Sequence, residues 1–90
     1  INIAFSGIID KDRASAQKRF AETAYATNPF YQANLLGCKN EFFDKVMSLQ
    51  ETYGVDEVIW LDMGADMNHR KETLAMISEM FALSPMKVVS

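Results

Sequence analysis

The chain has 90 residues, 49% hydrophobic and 23% charged, with a formal net charge of -3 and a pI near 5.0. That is enough for one modest core and too little for a complete eight-unit barrel of about 250 residues. The nine Lys and Arg are scattered, so the clustered basic face that nucleic acid demands is missing. One cysteine, Cys38, and one histidine, His69, exclude an internal disulfide and a zinc site of nitrogen and sulfur ligands.

Residues 1–9 (INIAFSGII) are apolar and partly β-branched, broken by Gly7, and read as a strand or an irregular apolar lead-in. Asp10 or Asp12 then caps a helix over 13–26, where Phe20/Ala24 and Ala21/Tyr25 are each four apart. Asn28-Pro29 stops it, because a residue before proline is pushed out of the α region. Residues 30–36 suggest a helical turn running into a short strand at 33–36, ended by Gly37. Asn40 is a candidate N-cap for a helix over 41–53, with Glu41 in its first turn. Phe42, Val46, Leu49 and Tyr53 share one face of it, and Gly54 falls where a C-terminal glycine cap belongs.

Residues 55–61 (VDEVIWL) form the strongest strand. The unbroken apolar run 58–61 implies burial on both faces, as in a parallel sheet. A loop over 62–68 with Gly64 leads to a helix over 69–82, with Leu74, Ile77 and Phe81 on its buried face and Ser84-Pro85 at its end. Residues 86–90 read as a tail. The order predicts an α/β chain, mostly helical, with one or two parallel-type strands. One or two strands cannot bury a two-faced strand. Together with the opening Ile1, this makes 1–90 a single C-terminal segment of a larger α/β domain. No secretory leader and no run of the roughly 18–20 apolar residues needed to cross a bilayer is present, so the chain reads as soluble and cytoplasmic, without membrane or nucleic-acid partners.

Few residues carry chemistry. Cys38 is a candidate nucleophile, but a nucleophilic thiol needs a base and an orienting group, and a structural thiol is favoured. His69 could serve as a base; its place between Asn68 and Arg70 favours a surface histidine. Asp62 and Asp66 around Gly64 fail as a calcium loop, since Thr73 stands at the twelfth position. Asp62, at a strand's C-terminal end, remains a candidate site carboxylate. Asp56 and Glu57 are adjacent and would point to opposite faces of a strand. Trp60 and the methionines, Met76 and Met80 above all, read as core. No catalytic residue and no metal ligand set emerges.

One stretch is more specific. Leu35-Leu36-Gly37-Cys38, a helix over 41–53, then Gly54-Val55-Asp56-Glu57-Val58-Ile59 and Gly64 resembles the C-terminal part of the luciferase-like flavin-dependent monooxygenases, including the variant fused to peptide- and polyketide-synthesising assembly lines. The resemblance covers roughly residues 20–82. It implies a segment of a TIM-type barrel, the last βα units, from a parent that binds reduced FMN and uses oxygen to oxidise an organic substrate. The cofactor would lie against the strand ends, here Gly37, Cys38, Asp62 and Gly64. The family commonly has Gly-Ser/Thr-Pro where this chain has Gly37-Cys38-Lys39. The segment alone is expected to bind no flavin and to be inactive, with the rest of the barrel or an oligomeric partner completing it. The alternative reading is a small helical protein–protein interaction module excised from a multidomain protein.

Overall fold

In the computed structural model, which describes residues 1–82 and 87–89, four parallel strands form one sheet flanked by three helices. The elements are β1 (Asn2–Ile9), α1 (Arg13–Ala21), a 3₁₀ turn (Ala24–Thr27), β2 (Leu35–Gly37), α2 (Lys39–Tyr53), β3 (Glu57–Asp62), α3 (Met67–Met80) and β4 (Lys87–Val89). Four strands replace the one or two expected.

The apolar lead-in is the central strand. β1 pairs with β2 through Gly7↔Leu35 to Ile9↔Gly37, and with β3 through Asn2↔Glu57 to Gly7↔Asp62. Its residues alternate: Phe5 and Ile9 enter one cluster, Ile8 the other. Gly7 is no break in the strand. A Cβ there would stand 1.7 Å from the Leu35 carbonyl oxygen, so β2 approaches only because the side chain is absent.

Asp12, rather than Asp10, caps α1, its carboxylate accepting from the Ser15 N–H at 2.7 Å. The helix expected over 13–26 is cut at Ala21. Glu22 and Thr23 close with tight i→i−3 bonds, and the Thr23 hydroxyl donates to the Phe20 carbonyl at 2.7 Å, taking the acceptor that the next helical N–H would use. At α2 the N-cap is Cys38, not Asn40, because Glu41 reaches back to accept the Cys38 N–H at 3.4 Å. Gly54 ends this helix in the left-handed conformation, φ 65°, donating to the Gln50 carbonyl at 2.8 Å. α3 starts two residues earlier than expected because Asp66 accepts from the Asn68 and His69 N–H groups at 2.9 and 3.1 Å.

The core lies mainly between the sheet and α2/α3. Phe42 is its centre, with Phe5 and Trp60 edge-on at 5.4 and 5.3 Å between ring centroids and Phe81 at 6.2 Å. The buried face of α3 runs Thr73, Ile77, Phe81; Leu74, expected on it, is exposed. Met47, Met76 and Met80 pack against this cluster and Met63 is buried in a second one, whereas Met67 is exposed. The second cluster, Ile8, Ala16 and Met63, lies under α1, the one helix on that face. α1 packs on β1 and β2 and leaves β3 uncovered there. Val58 and Trp60 of β3 are therefore buried while Ile59 is half-buried and Leu61 is 53% exposed, correcting the expectation of burial on both faces. Asp56 lies ahead of the strand and Glu57 at its start.

The expected tail contains β4, which runs parallel to β3. The expected stop at Ser84-Pro85 lies outside the described residues, as does Met86. The strand order is β2-β1-β3-β4. A barrel segment keeps its strands in chain order, whereas this order is that of an open doubly wound sheet, in which the chain steps to one side of β1 and then back past it. Among the described residues no helix is long and apolar enough to cross a membrane.

Candidate functional site

In an open parallel sheet the connections leaving two neighbouring strands for opposite faces open a crevice at the strands' C-terminal edge. Here that point is between β1, which leads to α1, and β3, which leads to α3. Gly37 and Cys38 end β2, and Asp62 to Gly64 end β3, all at this edge. They are two groups rather than one, because β1 runs between them: Gly37 pairs with Ile9 and Asp62 with Gly7.

Each group is occupied by its own neighbours. A Cβ on Gly37 would stand 2.9 Å from the Glu41 carboxylate. That carboxylate also takes the Cys38 N–H and receives Arg13 Nη2 at 2.7 Å. The Arg13 hydrogen bond, ahead of the Cys38 N–H and against a partial burial penalty, holds Glu41 below the usual carboxylate range. Cys38 is half-buried and free, with no hydrogen bond to His69. The nucleophile–base pairing weighed for these two is not formed. On the other side, Asp62 accepts from the Trp60 indole N–H at 3.2 Å and the Gly64 N–H at 2.8 Å, so it braces the turn after β3.

The helix N-termini are filled in the same way. Asp12, Glu41 and Asp66 place a carboxylate at the starts of α1, α2 and α3. An anion from solution would find the N–H groups that usually bind it already engaged. Between these ends, Arg19 Nε donates to Asp10 Oδ2 at 2.6 Å, and Arg19 Nη1 stands 4.0 Å from Asp66. Burial pushes Asp10 up, but Arg19, the Lys11 N–H and the His69 charge together outweigh it and hold the carboxyl below its ordinary value.

His69 is not a free surface residue. Its Nε2 lies 2.8 Å from the Ile9 carbonyl oxygen, which can only accept, so Nε2 carries the proton. The ring thus ties α3 to the end of β1 across the crevice, beside a cavity of about 430 Å³ that Asp10, Arg19 and Cys38 also line. Sequence gave no signal for a contact 60 residues apart. Among the described residues no buried side-chain nitrogen or oxygen lacks a partner, and no three His, Cys, Asp or Glu are placed to hold a metal.

A larger cleft, about 700 Å³, opens at the end of β3 on the side Leu61 faces. Its walls are the 25–32 segment, with Tyr25, Phe30 and Tyr31, and the first two turns of α3, with Arg70 and Lys71. The signal for it was in the sequence as the aromatic cluster around Pro29, which helix and strand patterning do not weigh. Comparison with protein-family models, curated proteins and solved structures finds no match to this chain.

Proposed function

We propose that this chain is the closing portion of a luciferase-like, flavin-dependent monooxygenase, supplying the last βα units of its barrel and inactive by itself. The observation that carries the reading is the ordered run Leu35-Leu36-Gly37, α2, Gly54-Val55-Asp56-Glu57-Val58-Ile59 and Gly64, a strand–helix–strand unit with both strand ends at one edge. The uncovered side of β3 supports it. A parallel strand is ordinarily covered on both faces, and in the proposed enzyme the remaining βα units, or an oligomeric partner, cover Ile59 and leave the Leu61 end open. The order β2-β1-β3 gives the reading no support, because in a barrel β2 and β3 are direct neighbours.

The cofactor of such an enzyme is FMN, which in its reduced form activates oxygen. Gly37 and Cys38 do not fit its phosphate, because the Glu41 carboxylate already stands against Gly37 and takes the Cys38 N–H. Asp62 and Gly64 are this chain's proposed share of the wall, held rigid by the bonds from Trp60 and Gly64 to Asp62. The phosphate then belongs to residues outside this chain, and the 90-residue chain alone holds no flavin.

The test is to produce the chain together with whatever its reading frame encodes on either side. The extended protein is expected to retain flavin and to consume oxygen when that flavin is reduced, and the 90-residue chain to do neither. A reading frame without further βα units, or an extended protein that purifies without flavin, would sink the proposal.

A further inference from the structure

We propose that the cleft at the end of β3 is a binding site for a planar aromatic ring bearing an anionic group, an aryl carboxylate or aryl phosphate. The inference does not rest on the flavin reading. Its first support is a wall of aromatic rings held out to solvent: Phe30 is 91%, Tyr31 51% and Tyr25 38% exposed. Exposed rings are common on mobile loops, but this loop is fixed. The Asn34 N–H donates to the Ser6 carbonyl and the Ser6 N–H to Asn34 Oδ1, both at 2.8 Å, and the Ser6 hydroxyl donates to the Gln32 carbonyl at 3.2 Å. The Phe30 and Tyr31 N–H groups are in turn held by Asn28, at 3.0 and 3.1 Å. Tyr25 and Tyr31 meet at 5.0 Å with their planes at 57°, a preformed corner for a third ring.

The second support is charge. Arg70 and Lys71 line the facing wall, and among the described residues neither has a hydrogen bond or an ion pair. The one carboxylate in the cleft, Asp62, is engaged by Trp60 and Gly64. Two cations beside one engaged carboxylate leave a positive wall. A guanidinium fork matches a carboxylate or a phosphate, while ring faces opposite take the aromatic body. The third support is size: about 700 Å³, floored by the exposed Leu61, suits a one- or two-ring ligand.

The indole N–H of Trp60, the chain's single tryptophan, donates to Asp62 of the cleft, so its one N–H signal senses binding through that carboxylate. Titration of the 90-residue chain with 1-naphthoate and with 1-naphthyl phosphate is expected to shift that signal saturably. The tighter of the two names the anion. Joint Arg70→Gln and Lys71→Gln, and separately joint Phe30→Ala and Tyr31→Ala, are each expected to weaken binding at least tenfold with the thermal midpoint unchanged. Neutral 1-naphthol binding as tightly as either anion, variants that bind like the parent chain, or no saturable shift would overturn the proposal. None of these results bears on flavin retention by the extended protein, so the two proposals fail separately.

Discussion

At Gly7 the space for one methyl group decides whether two strands can pair. An added Cβ would lie 1.7 Å from the Leu35 carbonyl oxygen, a backbone atom that cannot swing aside. Gly7→Ala is therefore expected to cost at least about 2 kcal/mol and to detach β2 from β1. Chemical denaturation would read the first effect and loss of amide protection at residues 35–37 the second. The carboxylates act at the same scale. Asp10, Asp12 and Glu41 are all held below their ordinary values of 3.8, 3.8 and 4.5. For Asp10 burial opposes the lowering and the Arg19 hydrogen bond leads it; for Asp12 the Ser15 N–H leads, and for Glu41 the Arg13 hydrogen bond. A lowered folded-state pKa stabilises above the unfolded value and ceases to as pH falls through the folded one. The thermal midpoint is thus expected to hold near neutrality and to fall below about pH 4.5. Glu41→Gln should flatten part of that fall. A midpoint that rises on acidification would contradict the assignment.

Among the elements, those written by a period within one segment were legible and those that depend on a distant partner were not. The face Phe42, Val46 and the stop at Gly54 identify α2 to within two residues at either end. Gly54→Ala is expected to cost about 1 kcal/mol, because its φ of 65° is one that glycine adopts freely and alanine does not, while the site itself is open space. Urea unfolding with an unchanged m-value would check it. β1 was ambiguous because a central strand has no polar side to alternate with, and Gly7 looks like a break until β2 is in place beside it. β3 misled in the opposite sense: its run of apolar residues promised two covered faces, but the single helix on one side sits over β1 and β2. The caps show the same limit. Asn40 was the better capping residue by type, yet Glu41 reaching back to Cys38 set the start of α2. Of the candidate site, the strand-end positions Asp62 and Gly64 were legible from the motif, while the His69–Ile9 tie and the aromatic cleft depend on the sheet order and were not.

At the scale of the whole molecule, the sheet order sets where each candidate site lies. β1 in the middle separates Gly37–Cys38 from Asp62–Gly64, directs α1 to one face and α2 and α3 to the other, and leaves Leu61 bare beside the aromatic cleft. If β2 paired directly with β3, as chain order in a barrel would have it, the strand-end residues would become neighbours and His69 would lose the Ile9 carbonyl. The most direct measurement is the set of cross-strand nuclear Overhauser effects between backbone protons in the labelled 90-residue chain. The account predicts contacts from β1 to both sides, at the registers Gly7↔Leu35 and Ser6↔Leu61, and none between β2 and β3. Contacts joining residues 35–37 directly to residues 57–62 would contradict it.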